Sequence, residues 1–214
     1  MPRTGYLIAV AVMLAAAAAG VLVWTNYFEI PGTRQPIEST PVASEIDWTS
    51  RMAELATNEG LILSLADKDT SAWSITDGHK IERFRISGAE QVFARLSSGH
   101  PLNPEDRLSG LQVKLPLEWA QKINGKRIEV GVVARQPSSN GASDISVLYA
   151  TLQTGNSGWR TFKVSPNFQD VKFEYNVPLA DSGYIQQPII VLRSDVQGAD
   201  RAVELVGVYI KPVP

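Results

Sequence analysis

The hydrophobic residues of this chain are distributed in two different ways. Tyr6 to Phe28 form one apolar run without a charged residue, whereas from residue 61 onward short apolar segments alternate with turn residues. A helix needs about 20 apolar residues to cross the roughly 30 Å of hydrocarbon in a bilayer, and the first run supplies them. The pattern therefore predicts a single-pass transmembrane helix followed by a domain built from short strands.

The charges that flank the apolar run indicate its orientation. Arg3 and the amino terminus precede the run, and Glu29 is the first charged residue after it. Because positive charge favours the cytoplasmic side, residues 1–28 are predicted to be a cytoplasmic tip and a signal-anchor helix, with the domain outside, periplasmic or extracellular. A cleaved signal peptide is the alternative, since Ala15–Ala19 offer small residues for cleavage. Both interpretations export the domain.

A proline-rich linker and a short helix follow the apolar run. Residues 29–46 are predicted to be an extended linker without a core, because prolines recur along this polar stretch. The β-sandwich domain is predicted over residues 47–214. It is expected to begin with a helix over about residues 48–58, which Asp47 is placed to cap. The apolar positions at helical spacing are Trp48, Met52 and Leu55.

The rest of the chain has the periodicity of half-buried strands. Phe173 and Tyr175, for example, alternate with Lys172 and Glu174, and Asn-Gly, Asp-Gly and Ser-Gly pairs separate the segments. One short helix is expected around Leu117–Ile123. The absence of a βαβ rhythm makes the fold class mainly β, an antiparallel sandwich or jelly roll with one or two short helices. The predicted strands are Leu61–Leu65, Ile81–Ser87, Gln91–Leu96, Gly110–Leu115, Arg127–Arg135, Ile145–Gln153, Trp159–Val164, Val171–Val177, Ile189–Arg193 and Val203–Ile210.

Composition excludes several classes of partner and chemistry. The formal net charge is −2, so the chain has no basic excess for a nucleic-acid backbone. It contains no cysteine, which excludes disulfides, thiolate metal sites and cysteine nucleophiles. No P-loop or dinucleotide fingerprint is present, so a nucleotide partner has no support.

Catalytic residues are not predicted. The chain lacks a Gly-x-Ser-x-Gly elbow, and His79 and His100 each adjoin turn residues, which favours surface loops for both. A glycosidase would need two carboxylates about 5–10 Å apart. Glu129, Glu174 and Glu204 fall on predicted strands, where outward-facing glutamates are the simpler interpretation. The chain is therefore not expected to be an enzyme.

Asp67 and Asp69 are the candidate metal ligands. Two carboxylates two residues apart in a loop suit calcium, which prefers oxygen ligands. The glycine and distal glutamate of a calcium loop do not follow them. A structural calcium ion is accordingly the single cofactor for which the sequence offers candidates, and a solvated turn is the alternative.

Aromatic residues near turns are the candidate ligand-binding residues. A flat apolar ring with little rotamer entropy suits stacking against a sugar ring. The candidates are Trp73, Trp159, Tyr175 and Tyr184, each of which could instead be structural. A row of exposed aromatic rings would favour a glycan ligand.

Several segments together resemble jelly-roll carbohydrate-binding modules of the galactose-binding-like type. They are Ala120–Ile123 with the Asn124-Gly125-Lys126-Arg127 turn and its strand to Arg135, Trp159-x-x-Phe162, Phe168 before Phe173 and Tyr175, and Val203–Ile210. The resemblance covers about residues 61–212. It implies a two-sheet jelly roll with a non-catalytic ligand-binding role, often for glycans and sometimes with a structural calcium. The last strand of such modules often bears an aspartate where this chain has Glu204, Leu205 and Val206, which weakens the case for calcium.

Anchor, linker and resemblance together give the expected function. We expect an extracytoplasmic domain that is attached to the membrane by its N-terminal helix and binds cell-envelope or exported polysaccharide. The alternative is a protein-interaction or structural subunit of an envelope assembly or secretion complex, for which an exposed apolar patch on one sheet would be evidence.

Overall fold

The computed structural model describes residues 47–57, 59–65, 71–85, 92–151, 155–180 and 186–214. These parts of the chain contain two helices and twelve strands. The helices are α1 (Trp48–Ala56) and α2 (Leu117–Ile123). The strands are β1 (Leu61–Ser64), β2 (Trp73–Ile75), β3 (His79–Arg85), β4 (Val92–Ser98), β5 (Leu111–Lys114), β6 (Arg127–Arg135), β7 (Asp144–Thr151), β8 (Gly155–Asn156), β9 (Arg160–Lys163), β10 (Gln169–Asn176), β11 (Ile189–Ser194) and β12 (Ala202–Pro212).

Four sequence predictions fall outside the described residues. They concern the transmembrane run Tyr6 to Phe28, the linker 29–46, the calcium candidates Asp67 and Asp69, and the ligand candidate Tyr184. Neither described helix has the length and apolar character that crossing a bilayer requires.

The strands form two antiparallel sheets that face each other. The first sheet has the order β10-β6-β12-β4-β3, and β1 also pairs with β12. The second has the order β2-β5-β11-β7-β8, and β9 also pairs with β7. The predicted fold class, a mainly β antiparallel sandwich with two short helices, is confirmed for the described residues.

The main core lies between the two sheets. The first sheet contributes Ile128, Val130 and Val132 from β6, which alternate along the strand as the sequence predicted. Tyr149 of β7 is among the largest fully buried side chains contributed by the second sheet. Alternation places these residues on one face of each sheet, so the two apolar faces pack against each other and are buried from solvent.

The outer face of the first sheet is also covered, because helix α1 packs on it. Met52 and Ala56 of α1 are buried against Val133 and Tyr209, which lie on the opposite face of their strands from the main core. This second cluster explains why β6 is buried at both odd and even positions. Asp47 caps the helix as predicted, accepting hydrogen bonds from the backbone amides of the residues that begin it.

Helix α2 and strand β6 have the predicted bounds, whereas other boundaries differ slightly. Helix α1 ends at Ala56 because Thr57 takes a positive φ of 60° and its N–H returns to Ala53 and Glu54. The sequence prediction missed β2 and β8, which have three and two residues. Segments this short are below the roughly four to eight residues over which apolar and polar alternation can be recognised.

Candidate functional site

A polar groove of about 300 Å³ opens on the outer face of the first sheet. Arg95 shows why the groove is polar: its neighbours Ala94 and Leu96 point into the main core, so alternation turns Arg95 outward. The groove lies toward the β3 edge of the sheet, over β3, β4 and the beginning of β12. The lining residues are Lys80, Glu82, Arg95, Ser97, Ser139, Asn140, Asp200 and Ala202.

Beneath the groove, a buried carboxylate joins two guanidinium groups. Glu204 of β12 lies directly opposite Arg95 of β4 and Arg135 of β6, so three adjacent strands set the three side chains in one row. One nitrogen of each guanidinium, Nη2 of Arg95 and Nε of Arg135, lies 2.6 Å from a Glu204 oxygen. The Glu204 side chain is 3% exposed, compared with 40% for Arg95 and 26% for Arg135. Glu204 therefore fixes both arginines, while Arg95 remains accessible from the groove.

Phenylalanine rings support both guanidinium groups. The Arg95 guanidinium lies 4.8 Å from the centroid of Phe84, and that of Arg135 lies 4.4 Å from the centroid of Phe168. A cation over an aromatic face is held electrostatically, so each ring helps to hold its arginine in place. Arg95 Nε is buried without a hydrogen-bond partner among the described residues.

An aromatic ladder connects this pair of arginines to helix α1. Phe93 stacks on Phe168 with centroids 5.0 Å apart, and Phe84 lies 5.9 Å from Phe93. Trp48, the first residue of α1, reaches Phe168 at 5.6 Å. The groove therefore rests on the same outer-face cluster that holds the helix on the sheet.

Asp200 organises the rim of the groove. Lys80 Nζ lies 3.5 Å from its carboxylate, and Ser97 Oγ donates to the same carboxylate at 3.4 Å. Asn140 Nδ2 donates to the Asp200 backbone oxygen at 2.9 Å, and both residues have positive φ, 51° and 61°. Asparagine and aspartate tolerate this conformation better than other residues with a side chain, which is a local reason for their presence here.

The groove combines donors and acceptors without a net charge. Three cations (Lys80, Arg95 and Arg135) balance three anions (Glu82, Asp200 and Glu204) in and beneath it. Glu82 forms no ion pair within the described parts of the chain. Hydroxyl groups donate and accept hydrogen bonds at once, so a neutral polyhydroxylated ligand matches this lining.

The three predicted glutamates lie on strands but not in one cluster, since Glu204 belongs to the row beneath the groove and Glu129 to a second polar cluster. Glu129 is buried, lies 3.2 Å from Lys211 Nζ and accepts a hydrogen bond from the Tyr209 hydroxyl at 3.3 Å. Glu174 faces outward and pairs with Arg127. Burial raises the pKa of Asp170, which receives the Tyr209 hydroxyl at 3.0 Å. Each carboxylate is bound by its own donors, as in a structural network.

The structure separates the predicted aromatic ligand contacts. Trp73 packs against the main core with the Arg83 guanidinium 5.1 Å from its ring, and Tyr175 faces inward, 5.6 Å from Tyr149. Trp159 is half-buried on the outer face of the second sheet. None of these three rings lines the groove, and a ligand role for each stays a prediction. The residues beneath Trp159 are Leu148, Ala150 and Val191.

The surface-loop prediction for His79 is wrong. His79 begins β3 and is 7% exposed, because the polar end of the main core surrounds it. Its Nδ1 lies 3.0 Å from Ser98 Oγ, and its Nε2 lies 2.9 Å from Ser109 Oγ. Burial, followed by the nearby Arg193 and His100 charges, lowers the pKa of His79 to about 4. His100 is exposed in a loop, as predicted.

The described residues contain no group of three or more histidines, aspartates and glutamates placed to hold a metal ion.

Sequence reasoning missed the groove because its residues come from strands that are adjacent only in the folded sheet. One signal was present: Glu204 interrupts the apolar run from Ala202 to Ile210. A charged residue inside such a run is rarely buried without a partner. The sequence did not reveal which strands would supply that partner.

No family model matches this chain, and no curated protein matches it either. Its fold is that of carbohydrate-binding modules of known structure. The CBM22-1 xylan-binding domain from Paenibacillus barcinonensis Xyn10C aligns with a TM-score of 0.50 and 15% identity, over 74% of this chain and 98% of that one. The resemblance inferred from the sequence is thereby confirmed for the fold.

A second structure is the tandem CBM22-1-CBM22-2 from the same Paenibacillus barcinonensis protein. It aligns with a TM-score of 0.50 and 12% identity over 72% of this chain, which spans 44% of the tandem chain. At these identities the likeness shows a jelly-roll sandwich and nothing finer.

Proposed function

We propose that this protein binds a cell-envelope or exported polysaccharide in the groove, without catalysis, as an extracytoplasmic domain attached to the membrane by its N-terminal helix. The observation that carries the proposal is the groove itself, with balanced donors and acceptors above the Arg95–Glu204–Arg135 row. Xylan binding by a structural neighbour with the same fold supports a glycan as the ligand class.

Pre-organisation makes the groove suitable for a weakly held polymer. Glu204 and the phenylalanine rings fix the guanidinium of Arg95 before a ligand arrives, so little rotamer entropy is lost on binding. The remaining donors and acceptors lie on the rim, where sugar hydroxyls can replace water. The volume of about 300 Å³ lies at the small end of ligand sites, which fits a few sugar units of a longer chain.

Arg95→Ala is expected to weaken polysaccharide binding at least tenfold, because a charged donor typically contributes about 1.5–3 kcal/mol to a hydrogen bond. Glu82→Ala, at an exposed lining residue, is expected to weaken binding several-fold without affecting the buried row. Binding of the full-length protein in detergent would be measured by calorimetry against a panel of envelope polysaccharides and xylan.

Arg160→Ala is the matched control, since Arg160 is an exposed arginine on β9 of the second sheet. Its affinity should equal that of the wild type. An equal loss of affinity in all three variants would count against the groove as the binding site. So would unchanged affinity in Arg95→Ala and Glu82→Ala. Failure of the wild type to bind any polysaccharide in the panel would remove the proposed function.

The membrane attachment supports binding by mass action. Confinement beside the envelope raises the effective concentration of a weak site without any new contact. A C-terminal tag on the intact protein is expected to be digested by protease added to the outside of an unbroken membrane. A domain on the inside would leave the tag undigested under the same conditions. Digestion only after the membrane is lysed would contradict the proposed orientation.

A further inference from the structure

Strand β10 forms one edge of the first sheet. Its eight residues pair with β6 along their whole length, and no other described strand pairs with its second side. It contains no proline, and its register with β6 shows no bulge, so the devices that protect this edge are its charged residues Asp170, Lys172 and Glu174. Among the described residues, the backbone donors and acceptors on this second side therefore have no partner strand.

The register identifies which residues carry these open groups. Val177 N–H donates to Lys126 C=O at 2.9 Å, and the pair continues the β10–β6 register. Directly opposite residues alternate between bonded and non-bonded pairs in an antiparallel ladder. The backbone groups of residues 171, 173 and 175 therefore point to β6, and those of residues 170, 172, 174 and 176 point to the open edge.

We propose that two copies of this chain associate through β10, with the two strands antiparallel and Phe173 opposite Phe173. This register sets Lys172 opposite Glu174 of the second copy, twice by symmetry. The residues of both pairs are those whose backbone groups point outward, so they would form the new hydrogen bonds. Val171 comes opposite Tyr175 on the inner face, which keeps apolar residues together.

Charge favours this register over the neighbouring one. Centring the pair on Lys172 would place lysine opposite lysine and Asp170 opposite Glu174, and like charges directly opposite each other are destabilising. The Lys172 and Glu174 side chains are 48% and 39% exposed, although Lys172 Nζ also lies 3.4 Å from Glu129 and Glu174 pairs with Arg127 within its own copy. The Phe173 register also keeps the whole strand paired, with Gln169 opposite Val177.

The association would leave the grooves free. Strand β10 is at one end of the first sheet, and β3, which lines the groove, is at the other. A pair of copies would therefore present two grooves on separate ends of a joined sheet. Two linked weak sites bind a polymer more tightly than one, although the association itself does not depend on any ligand.

Charge reversal tests the proposal in the full-length protein in detergent. Lys172→Glu and Glu174→Lys, each alone, are expected to weaken self-association about tenfold or more, because each creates two like-charged cross-strand pairs. When the two variants carry different tags and are mixed, every pair becomes opposite in charge, so they should co-purify. Light scattering would give the mass of each species, and Arg107→Glu, an exposed loop reversal, should leave it unchanged.

Co-purification of the mixture is the result that also excludes misfolding, since a variant that does not fold would not regain a partner. A monomeric wild type would overturn the proposal. Self-association that both charge reversals leave unchanged would also overturn it, because the contact would then lie elsewhere. Loss of self-association in Lys172→Glu without a loss in Glu174→Lys would exclude the Phe173 register. The affinity of each charge-reversal variant for polysaccharide, measured without the other variant, tests the groove independently of self-association.

Discussion

Replacing Glu204 with glutamine is expected to lower the free energy of unfolding by about 3 kcal/mol, because it removes the buried carboxylate that neutralises two arginines. The side chain is 3% exposed and accepts from Arg95 and Arg135, each at 2.6 Å. A glutamine of the same size keeps the packing but cannot neutralise two guanidinium groups. The cost arises from the cations left without a counter-charge, since both are partly withdrawn from water.

Glu54→Gln provides the control for this effect. Glu54 of α1 also pairs with an arginine, Arg51, at 2.6 Å, but the side chains are 65% and 51% exposed. Exposed pairs of this kind contribute about 0–1 kcal/mol, so the change should be small. Urea unfolding of the full-length protein, followed by tryptophan fluorescence, would measure both variants. Similar losses at the two sites would contradict a special role for burial at Glu204.

The sandwich was predictable because its signals are local. Strand β6 alternates cleanly, and the Asn124-Gly125 pair marks its beginning, so both its bounds and its inner face could be read from the sequence. Gly125 has a positive φ of 68°, the conformation for which glycine is favoured in such a turn. Helix α2 was predicted for the same reason, since its start and its apolar positions are set by neighbouring residues.

The packing of helix α1 on the outer face of the first sheet was not predictable from the alternation of apolar and polar residues. Val133 and Tyr209 lie on the faces of their strands that point away from the main core, and α1 buries them. Gly131 shows the same long-range effect: a Cβ there would lie 2.1 Å from Cζ of Tyr209, whose ring passes over the glycine. Which helix covers which sheet depends on the path of the whole chain, so no local window contains the information.

The candidate binding residues illustrate the difference between residue type and position. Stacking chemistry singled out Trp73 and Tyr175, but their strands also carry apolar neighbours, and the rings pack against the main core. The groove instead takes its chemistry from Arg95 and Glu204, two charged residues that appear unrelated in the sequence. Cross-strand register brings them together, and sheet order is a property of the folded chain.

The stability of the protein is expected to decrease between pH 6.5 and pH 4 because His79 remains neutral in the folded state. Its pKa is lowered to about 4 by burial and by Arg193 and His100, with Asp106 acting in the opposite direction. In the unfolded chain the pKa of histidine is about 6.5. Within this window the unfolded chain binds a proton that the folded protein does not, so acid favours unfolding. Above pH 6.5 neither state is protonated and the full contribution is present.

The expected loss from this histidine is about 2 kcal/mol. The difference between the folded and unfolded pKa values alone corresponds to about 3 kcal/mol. This energy is reduced because Ser109, which contacts the histidine, is half-buried and gives water partial access. Carboxylates titrate in the same window, so the comparison must be with His79→Gln, which keeps a donor and an acceptor but does not titrate. Urea unfolding at intervals from pH 7 to pH 4 should give a steeper decline for the wild type, whatever the absolute stability of the variant. Parallel curves would contradict the prediction, because they would mean that His79 gains its proton in the folded protein as readily as in the unfolded chain. The structure opposes protonation, since His79 is buried and its ring nitrogens lie 3.0 and 2.9 Å from two neutral serine hydroxyls.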